Sequence, residues 1–130
     1  MKNFQSIFIV DDDLVYHFIM KKLFAKTSIN AVTNYFFNGL QAIEELKKSD
    51  NLPDLILLDI NMPVCDGWQF LEEFKNLKKS WQKNVVIYLV SSSNDTADTN
   101  KCEEFKNEVH KYLNKPMTFE NFQSIFESVA

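Results

Sequence analysis

Five short apolar runs, at residues 6–10, 32–36, 55–59, 85–91 and 109–113, alternate along the chain with segments whose apolar residues recur at helical spacing. That alternation restricts the fold more than any other feature, because strands separated by single helices pair in parallel through helical crossovers. The intervening helices are expected at 14–26, 40–48, 68–78, 97–105 and 119–129. The third and fourth runs, LILLD and VVIYLVS, are almost continuously apolar, as central strands covered on both faces must be. The expectation is an α/β protein with a doubly wound, five-stranded parallel sheet and five helices. A chain of 130 residues fits one such domain, and no linker, repeat or low-complexity tract interrupts it.

Several function classes are excluded early. The only glycines are Gly39 and Gly67, so neither a GxGxxG dinucleotide fingerprint nor a GxxxxGK phosphate loop can be written. All 14 basic residues are Lys, against 18 acids, for a net charge of −4. An acidic chain without Arg lacks the commonest bidentate base contact and repels phosphate backbones, so nucleic-acid binding is not expected. No apolar stretch approaches the roughly 20 residues of a membrane span, and the opening MKNFQSIFIVDDD offers no signal-peptide cleavage site. The expected location is the cytoplasm, with no membrane partner. Cys65 and Cys102 match no metal-ligand spacing and read as free thiols.

In open parallel sheets, ligands collect beyond the carboxyl ends of the strands. Those ends here carry Asp11, Asp12 and Asp13; Asp59 followed by Asn61; Ser91, Ser92 and Ser93; and Lys115 followed by Pro116. Helix capping accounts for one of the three consecutive acids, Asp13. The other two, converging with Asp59, would repel by roughly 4 kcal/mol per pair at 4 Å in an effective dielectric near 20. A divalent cation relieves that repulsion, and so few protein ligands suit Mg²⁺; a purely structural acid cluster is the competing explanation. With Mg²⁺ bound, Asp59 is the carboxylate best sited to attack a phosphoryl donor, with the Ser91 hydroxyl and the Lys115 ammonium available to the phosphoryl oxygens. Taken singly, a strand-end Ser and a Lys before Pro are ordinary structural features.

Elsewhere the pattern reads as packing. Phe119, Phe122, Ile125, Phe126 and Val129 form a stripe that should face the core, whereas the segment 97–107 has only Ala97, Cys102 and Phe105 as anchors. His17, with Lys21 one turn on, reads as part of a solvated face.

Together IFIVDDD, LILLDINMPVCDGW, YLVSSS and YLNKP resemble, in order and spacing, the receiver domain of bacterial two-component response regulators. The resemblance implies a flavodoxin-like sheet of strand order 2-1-3-4-5. It further implies Asp59 as phospho-acceptor, Asp12 as direct Mg²⁺ ligand, Asp11 as a ligand acting mainly through water, and Asn61 as donor of a main-chain carbonyl. Ser91 is similar to the residue that senses the phosphoryl group, Tyr112 to the aromatic switch that turns inward, and Lys115 to the family's lysine. The Lys115–Pro116 bond would be cis, and Ser92 departs from the usual Ala or Gly. The implied partners are a sensor histidine kinase or histidine phosphotransfer protein and a downstream protein reading the surface of the fourth helix, fifth strand and fifth helix. The chain stops about one helix after Lys115, so a single-domain receiver without an output domain is expected, one that catalyses only its own phosphorylation and dephosphorylation. Two alternatives are a haloacid-dehalogenase-like phosphatase using Asp11 and Asp13 in a DxDxV signature, and a phosphotransfer module acting through His17.

Overall fold

The computed structural model describes residues 4–27, 29–48, 50–62, 64–91, 99–115 and 117–127. In chain order they form β1 (Ser6–Val10), α1 (Leu14–Ala25), β2 (Val32–Phe36), α2 (Gly39–Lys47), β3 (Leu55–Asp59) and α3 (Gly67–Leu77). A 3₁₀ turn (Lys78–Ser80) then leads to β4 (Val86–Ser91), α4 (Thr99–Glu104), β5 (Val109–Asn114) and α5 (Phe119–Glu127). All four strand pairings are parallel and the sheet order is β2-β1-β3-β4-β5. The expected doubly wound α/β architecture is the observed one.

Side-chain alternation divides the core into two layers. On one face Phe8, Ile56, Leu58, Ile87 and Leu89 meet Ala42, Ile43 and Leu46 of α2 and Phe70, Leu71 and Phe74 of α3. On the other, Ile7, Ile9, Leu55, Leu57, Val86 and Val90 meet Tyr16, Met20 and Leu23 of α1 and Phe122 and Ile125 of α5. Every residue of β3 and β4 is buried, which accounts for their unbroken apolar runs. Asn38 caps α2 and accepts from the Gln41 N–H at 2.9 Å, while Asp66 and Gln69 form a reciprocal capping box at the start of α3.

Three details depart from, or sharpen, the sequence reading. Phe122 and Ile125 do face the core, but Phe119, at the first position of α5, is 39% exposed; Val129 lies outside the described residues. The thinly apolar segment 97–107 has an anchor immediately after α4: Phe105 is fully buried and stacks on Trp68 of α3 at 6.1 Å between centroids. Ala97 lies outside the described residues. His17 is not on a solvated face but 3% exposed, its ring 5.3 Å from that of Tyr35 and 4.7 Å from that of Phe37. The end of β2 covers it, and the Lys21 stem that suggested solvent runs over Tyr35, with Nζ 4.9 Å from the ring centre. Among the described residues no helix is long and apolar enough to cross a membrane.

Gly67 sets how closely α3 approaches the end of β3. Its N–H donates to the Ile60 carbonyl at 2.8 Å, and a Cβ there would lie 2.7 Å from the Asp59 carbonyl oxygen and 2.8 Å from the Ile60 Cα. Backbone cannot yield as a flexible side chain would. Gly67→Ala should therefore destabilise the fold by about 1–3 kcal/mol, as overpacking does, read as a lower midpoint in urea. A midpoint equal to the parent's would contradict this packing.

Candidate functional site

The strand order reverses direction at β1: the chain passes from β1 to β2 on one side and returns to β3 on the other. The crevice beyond the ends of β1 and β3 is thus the topological switch point, where an open parallel sheet exposes strand-end groups from separate segments. Val10 is in register with Leu58, so Asp11, just after β1, stands beside Asp59, the last residue of β3. Both are buried, at 1% and 5% exposure, whereas the neighbouring Asp12 is exposed. One carboxylate oxygen from each of Asp11, Asp12 and Asp59 lies within 4.8 Å of the others.

The three consecutive acids do three different things. Asp11 Oδ1 accepts the Asp13 N–H at 2.9 Å and closes the turn leaving β1. Asp13 caps α1, its Oδ1 accepting the Val15 N–H at 2.9 Å, as expected from the sequence. Asp12 is left to face the crevice. With Asp13 engaged at the cap and absent from the cluster, the phosphatase reading loses the paired Asp11 and Asp13 it requires.

Lys115 reaches the same crevice from the edge strand. Its main-chain N–H donates to the Ser91 carbonyl at 2.8 Å, extending the β4–β5 ladder in which Ser91 pairs with Asn114. Its Nζ lies 2.7 Å from Asp11 Oδ2 and 3.5 Å from Asp59 Oδ1. The first contact is an ion pair at the distance of a charge-assisted hydrogen bond. Ser91 is buried at the end of β4. Tyr112 on β5 points outward, 42% exposed, its hydroxyl 3.5 Å from the Cys102 carbonyl. Asn61 is exposed two residues beyond Asp59. Ser92, Ser93 and Pro116, and with Pro116 the expected cis bond, lie outside the described residues.

Sequence reasoning missed Tyr16. It is 6% exposed, and the Lys115 Nζ rests 4.7 Å from its ring centre. The available signal was position: Tyr16 lies in the first turn of α1, directly after the strand-end acids, which keeps it at the crevice end of that helix.

Electrostatics follow from this crowding. Burial, then the charge of Asp11, pushes the Asp59 carboxyl up to about 7, with Lys115 offsetting only part. Burial also raises Asp11, against Lys115 and the Asp13 N–H, which favour its charged form. For Lys115, burial opposes the ammonium, but Asp11 and Asp59 outweigh it and hold the group above its ordinary value. When all three carboxyls are ionised, one ammonium leaves two negative charges uncompensated. The all-oxygen donor set, two of its three carboxylates buried, fits a hard divalent cation.

A family model, the response regulator receiver domain, matches residues 7–127. Among curated proteins, the chain is 33% identical over 88 residues to the sensor histidine kinase CheAY of Helicobacter pylori, covering 68% of this chain and 10% of that protein. It is 36% identical over 127 residues to the transcriptional regulatory protein ZraR of Klebsiella oxytoca, covering 96% of this chain and 26% of that protein. The chain thus spans a minor part of both. Among solved structures, a two component response regulator from Cytophaga hutchinsonii superposes with a TM-score of 0.76 at 27% identity, covering 98% of each chain.

The raised Asp59 carboxyl makes the metal-free fold sensitive to pH. An ordinary Asp in the unfolded chain titrates near 3.8, so between that value and about 7 the folded state binds the proton more tightly. Stability is therefore greatest at the acid end of this window and falls as pH rises towards 7, by on the order of 2 kcal/mol after solvent screening. In chelator, melting temperatures from pH 5 to 8 should fall for the parent and fall less for Asp59→Asn, which should melt higher at pH 8. Parallel profiles for the two proteins would contradict the assignment of this strain to Asp59.

Proposed function

The chain belongs to the response regulator receiver domain family, and on that premise we propose that it accepts a phosphoryl group on Asp59 from a sensor histidine kinase or histidine phosphotransfer protein. The observation carrying this reading is the meeting of Asp11, Asp12 and Asp59 at the switch point, with the Lys115 ammonium against two of them. The cation that suits the site is Mg²⁺, which Asp11, Asp12, Asp59 and the main-chain carbonyl of Asn61 would hold. When bound, it supplies the positive charge that lets a carboxylate approach an anionic phosphoryl group.

An Asp59 carboxylate oxygen attacks phosphorus, the new O–P bond forms as the P–N bond to the donor imidazole breaks, and the electron pair leaves on that nitrogen. Asp11 keeps the turn after β1 closed through the Asp13 N–H, which holds the cluster's geometry during transfer. Lys115 exchanges its contact with Asp59 for a phosphoryl oxygen, and the Ser91 hydroxyl donates to a second. Because the Lys115 main chain is bonded to Ser91, these two groups respond together. Hydrolysis of the acyl phosphate returns Asp59, so the chain acts on itself rather than on a separate substrate. Output is a population shift of the α4–β5–α5 surface, with Tyr112 turning inward, read by a cytoplasmic protein partner.

Incubation with acetyl phosphate and Mg²⁺ should add the mass of one phosphoryl group, mapped to the peptide containing Asp59. Asp59→Asn, or chelation of the cation, should abolish the addition. Undiminished labelling in either condition overturns the assignment. Ser91→Ala should still be labelled yet show weaker hydrogen-exchange changes across α4 and β5 on binding beryllofluoride; changes equal to the parent's would remove Ser91 from the response.

A further inference from the structure

Tyr16 packs in the core layer of α1 and α5, but packing does not account for all of its contacts. Its ring lies at the edge of the α1–α5 core layer, 6% exposed, and its hydroxyl is buried with no hydrogen-bond partner. A phenylalanine would fill the same space without burying an unpaired hydroxyl, so satisfaction of that hydroxyl does not explain the residue. What the ring does contact is the Lys115 ammonium, 4.7 Å from its centre. This lies within the roughly 6 Å at which the negative face of an aromatic ring attracts a cation.

We propose that Tyr16 is a positioning residue for Lys115, a neutral seat that keeps the ammonium over the crevice when its carboxylate partners are taken by other groups. The inference rests on the phosphoryl-accepting reading above. Among the described residues Lys115 has three partners: Asp11 Oδ2, Asp59 Oδ1 and the Tyr16 ring. The first two are also the carboxylates that a cation and a phosphoryl group engage. When they are engaged, the ring is the one partner among the three that remains, and it neither adds negative charge to the cluster nor competes for the cation. An aliphatic side chain in its place leaves the flexible Lys115 stem free to swing towards solvent, since its side chain is already 22% exposed.

The test compares the parent with Tyr16→Phe, Tyr16→Leu and Tyr16→Met, each also in a Lys115→Ala background, at saturating Mg²⁺. The first readout needs no phosphorylation: the Lys115 ε-methylene protons, assigned by their loss in Lys115→Ala, should be shifted upfield by the ring in the parent and in Tyr16→Phe. They should move to the position of exposed lysines in Tyr16→Leu and Tyr16→Met. The second is the rate of labelling by acetyl phosphate. Tyr16→Phe should stay within about twofold of the parent and melt no lower, whereas Leu and Met should slow labelling about fivefold, equivalent to about 1 kcal/mol. With Lys115→Ala already present, the same substitutions should change the rate no further. An unshifted Lys115 in the parent, or equal slowing with and without Lys115, overturns the proposal. If Tyr16→Leu folds poorly, Tyr16→Met carries the comparison. A parent that shows the ring shift but takes no phosphoryl group refutes the function proposed for the site while leaving the seating of Lys115 established.

Discussion

The ammonium of Lys115 ties together three strand ends that would otherwise push apart. Parallel pairing delivers the carboxyl ends of β1, β3 and β5 to one rim of the sheet, and the sequence puts two buried acids on the first two of these. At separations near 5 Å, two such charges repel by roughly 3 kcal/mol in an effective dielectric of 20, comparable with a sizeable part of a small domain's stability. Lys115, arriving from an edge strand and fastened to β4 through the Ser91 carbonyl, supplies the one fixed positive charge among the described residues against Asp11 and Asp59.

The compensation is incomplete, and that incompleteness makes the rim chemically useful. A second fixed cation would quench the cluster and leave it a structural salt bridge, while none would leave two buried carboxylates without a counter-charge, which folded proteins strongly disfavour. With one, the crevice keeps an excess of carboxylate charge of the kind that suits a hard divalent ion, and a carboxyl that titrates near neutrality. The packing beneath is correspondingly stiff. Asp59 ends a strand with every residue buried, and Gly67 lets α3 close against the carbonyl that follows it. Asp59 is thus held at the end of the wholly buried β3, while Ser91 and Lys115 stand at the ends of β4 and of the edge strand β5.

The layers of the fold were legible because burial on both faces leaves an unbroken apolar signature in LILLD and VVIYLVS, and because helical spacing survives in α2, α3 and α5. The acids were legible as well, since strand ends of a parallel sheet must share a rim. The pairing of Lys115 with Asp11 was not, because local patterning carries no information about which strand-end side chains reach one another across the sheet. His17 was misread for a related reason: Lys21 on the same helix suggested water, whereas the residues covering the imidazole, Tyr35 and Phe37, belong to a different segment. Tyr16 escaped notice because an apolar-periodic helix reads any aromatic as core, and its contact with an ammonium exists only once β5 is in place.

The run Asp11-Asp12-Asp13 looks like a redundancy and is not one. Asp13 works as a cap, a task asparagine performs about as well. Asp12 works through its charge at the mouth of the crevice, where an amide keeps the shape and loses the charge. Asp11 works through both oxygens at once, one closing a turn and the other facing an ammonium, so an amide there must give up one side or the other. The same one-atom exchange from oxygen to nitrogen therefore meets three unlike filters at adjacent codons, and an evolving population should find this triplet permissive at one position, conditional at the next and closed at the first.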